Sequence, residues 1–309
     1  MSPPAIEARG LRKHFGDGAV LDGLDLTVPA GSLLALLGAN GSGKTTTVRI
    51  LTTLLAADSG VAHVAGHDIT TGAAAVRRAI GLTAQQASVD ELLTGRENLE
   101  LFAGLNHLGR RAARQRADEL LERFDLTDAA GRRAGAYSGG MRRRLDLAVS
   151  MVAHPRILFL DEPTTGLDPR SRSGLWEVVR DLVSAGTTIL LTTQYLDEAD
   201  QLADRVAILG GGRIVEEDTP AGLKRRIGTE RLRLTPARPE FTAPALALLP
   251  GAYPEPDTGE VVVGLHDPDH LRRILDDLHR AGIDIASVAL SAPTLDDVFF
   301  QLTAKEPVA

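Results

Sequence analysis

The sequence predicts an α/β fold built around a central parallel sheet. The first observation is a set of short, uninterrupted apolar runs, SLLALLG, ILFL and TTILLTT, each of strand length. Strands of a parallel sheet are covered on both faces and therefore read as continuous apolar runs rather than as alternating patterns. The second observation is that stretches with apolar residues at helical spacing separate these runs. Together they indicate strands that alternate with helices.

The elements that flank this core are predicted from their local patterns. Residues 5–30 show two alternating stretches, AIEARGL and LDGLDLTV, separated by the turn-rich FGDGA, which predicts an antiparallel hairpin. Residues 88–150 carry apolar residues at three- and four-residue spacings and predict a helical subdomain. A further helix is expected around SGLWEVVRDLVSAG, and VAILGGGRIVEEDTP predicts a terminal hairpin with its turn at Gly210 to Gly212.

The composition shifts after Pro220, where a proline-rich stretch breaks the chain. The later segments EVVVGLH, DPDHLRRILDDLHRAG, IASVALS and PTLDDVFFQLT predict a strand, a helix, a strand and a helix. We therefore expect two domains, one covering residues 1–222 and a small α+β domain covering residues 223–309.

Composition limits the classes of function that need to be considered. The chain of 309 residues is 43% hydrophobic and carries a net charge of -7, which disfavours a protein that coats nucleic acid. Because it has no cysteine, disulfides and thiolate metal sites are excluded and a reducing compartment fits. The first residues lack the pattern of a secretory signal, and every apolar run is shorter than the roughly 18 residues of a transmembrane helix. We expect any membrane role to come through a partner.

GANGSGKTT, residues 38–46, matches the phosphate-loop pattern G-x-x-x-x-G-K-[ST] between a predicted strand and a predicted helix. Glycines let backbone N–H groups turn toward a triphosphate, the lysine reaches its outer phosphates, and the threonine hydroxyl ligates Mg²⁺. The residues expected to contact ATP from this loop are Gly38, Ala39, Asn40, Gly41, Ser42, Gly43, Lys44, Thr45 and Thr46.

ILFLDEP places two carboxylates, Asp161 and Glu162, at the end of a predicted buried strand. Two buried carboxylates are costly unless a metal or a proton compensates them. Beside a phosphate loop, we expect Asp161 on the Mg²⁺ side of a nucleotide and Glu162 holding the attacking water as the catalytic base.

AYSGGMRRRLDLA supplies a second candidate anion site, a helix start at Ser138, Gly139 and Gly140. One γ-phosphate is already held by the phosphate loop, so this second site suggests closure on the nucleotide of a second copy of the chain. At this point the sequence resembles the ATP-binding cassette family, whose signature LSGGQ reads YSGGM here.

The resemblance implies roles for further residues. Gln85 in IGLTAQQ is similar to the glutamine that contacts Mg²⁺ and senses the membrane subunit, with Gln86 as the adjacent candidate. Asp168 in TTGLDP resembles the aspartate that communicates across the dimer. Phe15 resembles the aromatic residue that stacks on adenine, and Val20 is expected in the same pocket; a packed turn phenylalanine is the alternative for Phe15.

Gln194 follows the run TTILLTT, where the family usually carries a histidine that faces the γ-phosphate. A glutamine can donate and accept hydrogen bonds, but it takes no proton near neutral pH. We therefore expect Gln194 to be a catalytic residue that positions the phosphate, with Glu162 and Lys44 as the other catalytic residues. The alternative is a degenerate site with slow turnover.

The wording TTQYLDEADQLAD and the tail LSAPTLDDVFFQLT resemble a narrower group, the daunorubicin-resistance-type subunits of bacterial exporters, in which glutamine at this position is typical. The resemblance implies an ATPase that dimerises on ATP at the cytoplasmic face of the membrane and powers drug efflux through a separate permease. In that group the tail motif is linked to regulation and subunit contact; here it comprises Leu295, Asp296, Asp297, Val298 and Phe299, and ordinary domain packing is the alternative.

Other readings stay open at this level. They are an ATPase that exports a glycolipid or polysaccharide, an importer, a non-transport cassette ATPase, and a small-molecule kinase. Arg142, Arg143 and Arg144 could suggest nucleic acid, but such a run is more often the solvated face of a helix, and we expect no nucleic-acid partner. The histidines lack the spacing of metal ligands.

Overall fold

The structure is a computed structural model that describes residues 3–16, 18–85, 88–227, 230–255, 258–265, 267–291 and 294–295. The chain divides into two compact units, Met1–Glu217 and Asp218–Ala309. The sequence placed this division a few residues later, after residue 222.

The secondary structure of the first unit is as follows. Its strands are β1 (Ile6–Phe15), β2 (Gly18–Val28), β3 (Leu33–Leu37), β4 (Ser59–Val64), β5 (His67–Asp68), β6 (Ile80–Thr83), β7 (Ile157–Asp161), β8 (Thr188–Thr193), β9 (Arg205–Gly210) and β10 (Arg213–Asp218). Its helices are α1 (Lys44–Leu51), α2 (Ala73–Ala79), α3 (Gly95–Leu105), α4 (Arg110–Arg123), α5 (Gly139–Ser150), α6 (Pro169–Ser184) and α7 (Leu196–Leu202).

The central sheet of the described residues has the strand order β10-β9-β3-β8-β7-β6. Strand β3 pairs in parallel with β8 and β9, and β7 pairs in parallel with β6 and β8. Every residue of β3, β7 and β8 is buried, as continuous apolar runs predict. The carboxyl ends of β3, β7 and β8 therefore meet at one edge of the sheet, where ligands bind in this type of fold.

The predicted antiparallel hairpin is present and belongs to a larger sheet. Strands β1 and β2 pair antiparallel, and β4 and β5 extend the sheet in the order β2-β1-β4-β5. One core joins this sheet to the central one, because Leu24 of β2, Ile50 of α1 and Phe159 of β7 are fully buried in the same cluster. The core fixes α1, and with it the phosphate loop, against both sheets.

Residues 95–150 form the predicted helical region with α3, α4 and α5. Helix α3 starts with a capping box, in which Thr94 accepts a hydrogen bond from the Glu97 N–H and the Glu97 side chain accepts one from the Thr94 N–H. The predicted terminal hairpin is β9 and β10, and the helix expected around residues 173–186 is α6, which begins earlier, at Pro169.

The second unit has its own sheet and core. Its elements are α8 (Pro220–Ile227), β11 (Glu230–Pro236), α9 (Thr242–Leu248), β12 (Tyr253–Pro254), β13 (Val261–Leu265), α10 (Pro268–Arg280) and β14 (Ile285–Ser291). The described strands pair antiparallel in the order β12-β13-β11-β14. Leu232, Val263, Ile274 and Leu278 share one buried cluster. The predicted strand, helix and strand are β13, α10 and β14, whereas the predicted last helix falls mostly outside the described residues.

Candidate active site

The phosphate loop connects β3 to α1 and depends on glycine at two of its positions. Gly43 has φ 108°, and a Cβ there would lie 2.8 Å from Leu21 Cδ2 and 3.0 Å from the Val20 carbonyl oxygen. At Gly38, a Cβ would lie 2.5 Å from Ser42 Oγ and 2.9 Å from the Leu209 carbonyl oxygen. Any larger residue at either position would force this loop to move.

Lys44 is anchored inside the loop that it follows. Its side chain is 4% exposed, and its Nζ donates hydrogen bonds to the carbonyl oxygens of Gly38 at 2.7 Å and Ala39 at 3.1 Å. The same ammonium lies 3.3 Å from Glu162 Oε1. The phosphate loop and the predicted catalytic base therefore share one charged contact.

Asp161 ends β7 with its carboxylate bound by two hydroxyl groups. Thr192 Oγ1 donates to Asp161 Oδ1 at 2.6 Å, and Thr45 Oγ1 donates to the same oxygen at 3.2 Å. Thr192 was not predicted from the sequence. The available signal was a polar residue near the end of an apolar run, but its partner can be assigned only when β8 is known to lie beside β7.

Glu162 holds an unfavourable backbone conformation. Its φ is 48°, which for a residue with a Cβ costs about 1 to 2 kcal/mol. The surrounding chain compensates, because the Glu162 N–H donates to both the carbonyl oxygen and Oγ1 of Thr192 at 3.1 Å. Thr165 Oγ1 lies 3.4 Å from Glu162 Oε2. This strained turn aims the carboxylate at Lys44, as is common at catalytic positions.

A cavity of about 360 Å³ opens between these elements. It brings together eight of the predicted nucleotide contacts and the predicted base; its lining residues are Val20, Asn40, Gly41, Gly43, Lys44, Thr45, Thr46, Gln85 and Glu162. Gln85 also lines a neighbouring cavity together with Asp161, so it lies between the two. Gln86 is outside the described residues.

Several predicted site residues do not line this cavity; on this side of the chain they are Phe15, Gly38, Ala39, Ser42, Asp161 and Gln194. Phe15, at the end of β1, is 54% exposed and lies with its ring centroid 5.7 Å from Lys13 Nζ. Gln194, half-buried, directly follows β8. Their roles toward adenine and the γ-phosphate stay predictions.

The oxygen atoms at this edge fit a magnesium ion that is held mainly by nucleotide and water. A hydroxyl (Thr45), a carboxylate (Asp161) and an amide (Gln85) are the hard ligands that Mg²⁺ prefers. Within the described ranges, no group of three or more His, Cys, Asp or Glu side chains could hold a metal by itself. One or two protein ligands are the usual number for Mg²⁺ at a phosphate site.

The candidate second anion site lies elsewhere in the chain. Ser138 caps α5 by accepting a hydrogen bond from the Met141 N–H at 3.2 Å, and with Gly140 it lines a different cavity of about 640 Å³. Gly139 follows as the first residue of α5. Asp168 caps α6: Ser171 donates to it through N–H at 3.0 Å and through Oγ at 2.6 Å, which holds the pKa of Asp168 below its usual value.

The arginine run is not a solvated face throughout, so that expectation was wrong for one of its members. Arg143 is only 9% exposed and donates to main-chain carbonyls and to Asp146. Arg142 and Arg144, by contrast, pair with the exposed acids Glu91 and Asp125. The signal in the sequence was an acid three residues after Arg143, the spacing at which helical side chains meet.

Comparison with known proteins identifies the family. Residues 21–165 match the family model described as ABC transporter, and residues 219–303 match the model of the C-terminal domain of ATP-binding proteins of the DrrA1-3-like type. A daunorubicin resistance ATP-binding protein from Streptomyces coeruleorubidus is 50% identical over 99% of this chain and 98% of its own length. A Nod factor export ATP-binding protein from a Rhizobium species is 36% identical over 99% of both chains.

A solved structure agrees in fold. A dimeric bacterial ABC transporter cassette matches with a TM-score of 0.63 at 25% identity, covering 69% of this chain and 98% of the cassette. The chain therefore belongs to the ABC transporter family, within which it is an ATP-binding, ATP-hydrolysing subunit of the daunorubicin-resistance type.

Proposed function

We propose that this subunit powers the efflux of a drug-like compound through a separate membrane permease, to which it binds at the cytoplasmic face. The observation that carries the hydrolytic part is the contact between Lys44 Nζ and Glu162 Oε1, 3.3 Å apart, at the 360 Å³ cavity. This contact supports a phosphate-binding role for Lys44 and a base role for Glu162, because phosphoryl transfer to water needs both groups close together.

The side chains of the site divide this chemistry between them. Lys44 binds the outer phosphates of ATP, and the turn at Gly41 and Gly43 lets main-chain N–H groups approach them. Thr45 and Asp161, with Gln85, hold Mg²⁺, which supplies charge neutralisation at the phosphates. Glu162 orients the attacking water and accepts its proton.

Gln194 acts in this proposal as a neutral hydrogen-bonding group. It follows Thr192 and Thr193 at the carboxyl end of β8, and Thr192 already contacts Asp161 and the backbone of Glu162. An amide at this position orients a phosphate without changing charge with pH. Proton transfer then belongs to Glu162.

A second copy of the chain completes each nucleotide site. Ser138 and Gly140 line a cavity separate from that of Lys44, so one chain offers two half-sites rather than one whole site. A related cassette forms dimers. Two copies arranged head to tail bind ATP between Lys44 of one and Ser138 of the other, and ATP favours the closed pair because it contacts both.

The membrane step belongs to another subunit in this proposal. Among the described helices, none is long and apolar enough to cross a bilayer. The support for a permease is the family itself, whose members energise transport.

The substrate class rests on the relatives. Identity to the daunorubicin resistance protein is 50%, against 36% to the Nod factor exporter, so a drug-like substrate is favoured over a glycolipid. Expression of the chain with its candidate permease in a sensitive host tests this. Raised resistance to an anthracycline is expected, and unchanged resistance with a secreted glycolipid would favour the second class.

Glu162→Gln tests the hydrolytic mechanism. The variant keeps the shape of the side chain but removes the base, so we expect ATP binding to persist while turnover falls about a hundredfold or more. ATP should then trap closed dimers, which light scattering detects. The control is Glu260→Gln. Glu260 directly precedes β13 in the second unit and accepts a hydrogen bond from the Thr235 hydroxyl. Native turnover in Glu162→Gln would refute the base assignment.

A further inference from the structure

Arg143, in the first half of α5, is bound on every arm of its guanidinium. Nε donates to the Pro163 carbonyl oxygen at 2.7 Å, Nη1 to that of Ala84 at 2.8 Å, and Nη2 to those of Asp161 and Glu162, both at 3.3 Å. The side chain of one helix thus holds two other segments. One is the turn of the candidate base, and the other leads to Gln85.

Asp146 completes this arrangement one helical turn later. Its Oδ2 lies 3.2 Å from Arg143 Nη1, and its Oδ1 accepts a hydrogen bond from the Ser88 N–H at 2.7 Å. Ala84 and Ser88 bracket Gln85. Arg143 and Asp146 therefore bind the main chain at Ala84 and at Ser88, on either side of Gln85, from a single helix.

Burial makes these contacts demanding. The Arg143 and Asp146 side chains are 10% and 1% exposed. Burial lowers the pKa of Arg143 and raises the pKa of Asp146, because each loses the hydration of its charge. Buried charges persist where their hydrogen bonds are satisfied, and losing one partner leaves the other uncompensated.

The turn that Arg143 holds is the one under strain. Glu162 has φ 48°, and Thr192 binds its N–H from the β8 side. Arg143 binds the carbonyl oxygens of Asp161, Glu162 and Pro163 from the α5 side. Hydrogen bonds from β8 and from α5 thus hold Glu162 in its unfavourable conformation, and loss of either set should let the carboxylate move.

We infer that Arg143, supported by Asp146, is a positioning residue for hydrolysis. It fixes the backbone of Glu162, and the main chain at Ala84 beside Gln85, to the helix that begins at Ser138. The inference rests on the proposed roles of Glu162 and Ser138. It gives the half-site that receives the partner copy's nucleotide a direct mechanical link, through a helix and one guanidinium, to the base in the chain's own site.

The chain contains a matched arginine away from this site. Arg116 of α4 is also 9% exposed, donates to the carbonyl oxygens of Met151 at 2.6 Å and Val152 at 3.3 Å, and pairs with Glu119 three residues later at 3.1 Å. It binds the end of α5 rather than its first half. A purely structural role predicts that Arg143 and Arg116 respond alike to substitution.

The test compares Arg143→Lys with Arg116→Lys in the full-length chain. Lysine keeps the charge opposite the acid but loses the planar fork that reaches several carbonyls. For Arg143→Lys we expect kcat to fall between about tenfold and a hundredfold, with the KM for ATP within about twofold, because the base is misplaced while the phosphate loop is intact. Arg116→Lys should leave kcat per folded molecule unchanged.

A second measurement shows whether Arg143 acts through Glu162. In the Glu162→Gln background, Arg143→Lys should lower the residual single-turnover rate no further, since positioning of the base no longer matters. If Arg143→Lys fails to fold by circular dichroism, the neutral pair Arg143→Gln with Asp146→Asn replaces it, with the same expected loss of kcat.

The outcomes separate the inference from the proposed function. Wild-type protein that binds ATP without hydrolysing it contradicts the proposed function. Wild-type hydrolysis with an unchanged kcat in Arg143→Lys, or parallel losses in the two arginine variants, overturns the inference alone.

Discussion

The carboxyl edge of the central sheet and the inner face of the second unit's sheet bury their side chains for different purposes. At the edge, the buried side chains include Lys44, Asp161 and Thr192, each held by hydrogen bonds. The cluster in the second unit contains apolar residues such as Leu232 and Ile274. Hydrogen bonds between buried polar atoms contribute little net stability, but they fix the positions of those atoms. Burial of apolar area stabilises the fold and supplies no reactive group. The carboxyl edge of the central sheet therefore fixes the geometry of polar groups, and the cluster in the second unit stabilises the fold by packing.

We expect the largest effect from a substitution in the polar region, by which we mean the carboxyl edge of the central sheet. Lys44→Ala removes the ammonium that reaches the phosphates, so ATP hydrolysis should fall by about a thousandfold and nucleotide binding should weaken. Turnover and binding of a fluorescent ATP analogue measure both. Lys224→Ala, in α8 of the second unit, is the matched lysine control and should leave both unchanged. Equal losses in the two variants would contradict the contrast between the regions.

The next largest effect is expected at Gln194, whose proposed role is to position the phosphate. Gln194→Ala should lower kcat about tenfold with little change in KM, because a positioning hydrogen bond is lost. Gln194→His places a group with an ordinary pKa of about 6.5 at the same point, so the rate should gain an additional pH dependence around that value. Rate profiles against pH measure this. A native rate in Gln194→Ala would remove the positioning role.

A smaller effect on activity, but a clear effect on stability, is expected in the apolar cluster of the second unit. Ile274→Ala deletes a buried side chain of α10 and should lower the free energy of unfolding by about 2 to 4 kcal/mol. Urea denaturation measures the loss, and kcat per folded molecule should stay native. Arg272→Ala, an exposed neighbour on the same helix, serves as the control. A loss of kcat in Ile274→Ala would show that the second unit influences the chemistry.

The smallest expected effect concerns a buried acid near the polar edge. Glu198 is fully buried, and burial raises its pKa; Trp176 Nε1 donates to it at 3.1 Å. A carboxyl whose folded pKa is raised stabilises the fold below its ordinary pKa, and this stability is lost as the pH rises through the folded value. Glu198→Gln keeps an acceptor for Trp176 without the charge, so stability should increase at neutral pH and depend less on pH.

Unfolding midpoints in urea at about pH 5 and about pH 8 test this linkage. Asp146 contributes a dependence of the same sign, since burial also raises its pKa, so the slope should shrink rather than vanish. The control Glu177→Gln changes an exposed acid of α6. An unchanged slope in Glu198→Gln would place the titrating group elsewhere.

Prediction from sequence was strongest where a pattern is contiguous. The phosphate loop, the acidic pair and the helix start at Ser138 are short motifs whose residues lie side by side in the chain. Strands β3, β7 and β8 were predicted because burial on both faces leaves uninterrupted apolar runs. The short strand β12 and helix α9 were missed, since proline obscured their weak patterns.

Prediction was weakest for contacts between distant segments. Arg143 was expected on a solvated face, because its neighbours at 142 and 144 are charged as well. Its burial depends on two other segments, at Ala84 and at residues 161–163, meeting at α5. Phe15 and Gln194 were placed at the nucleotide by resemblance, and the described lining of the cavity includes neither.

The sequence by itself determined which kind of chemistry to expect. Glycine, lysine and threonine at fixed spacing in residues 38–46, with two carboxylates at 161–162, are typical of nucleotide hydrolysis. Only the tertiary structure decided which groups meet. Thr192 reaches Asp161 because β8 lies beside β7, and Arg143 reaches Glu162 because α5 lies beside the end of β7. The physical reason is that hydrogen bonds act over about 3 Å, and only packing brings remote residues that close.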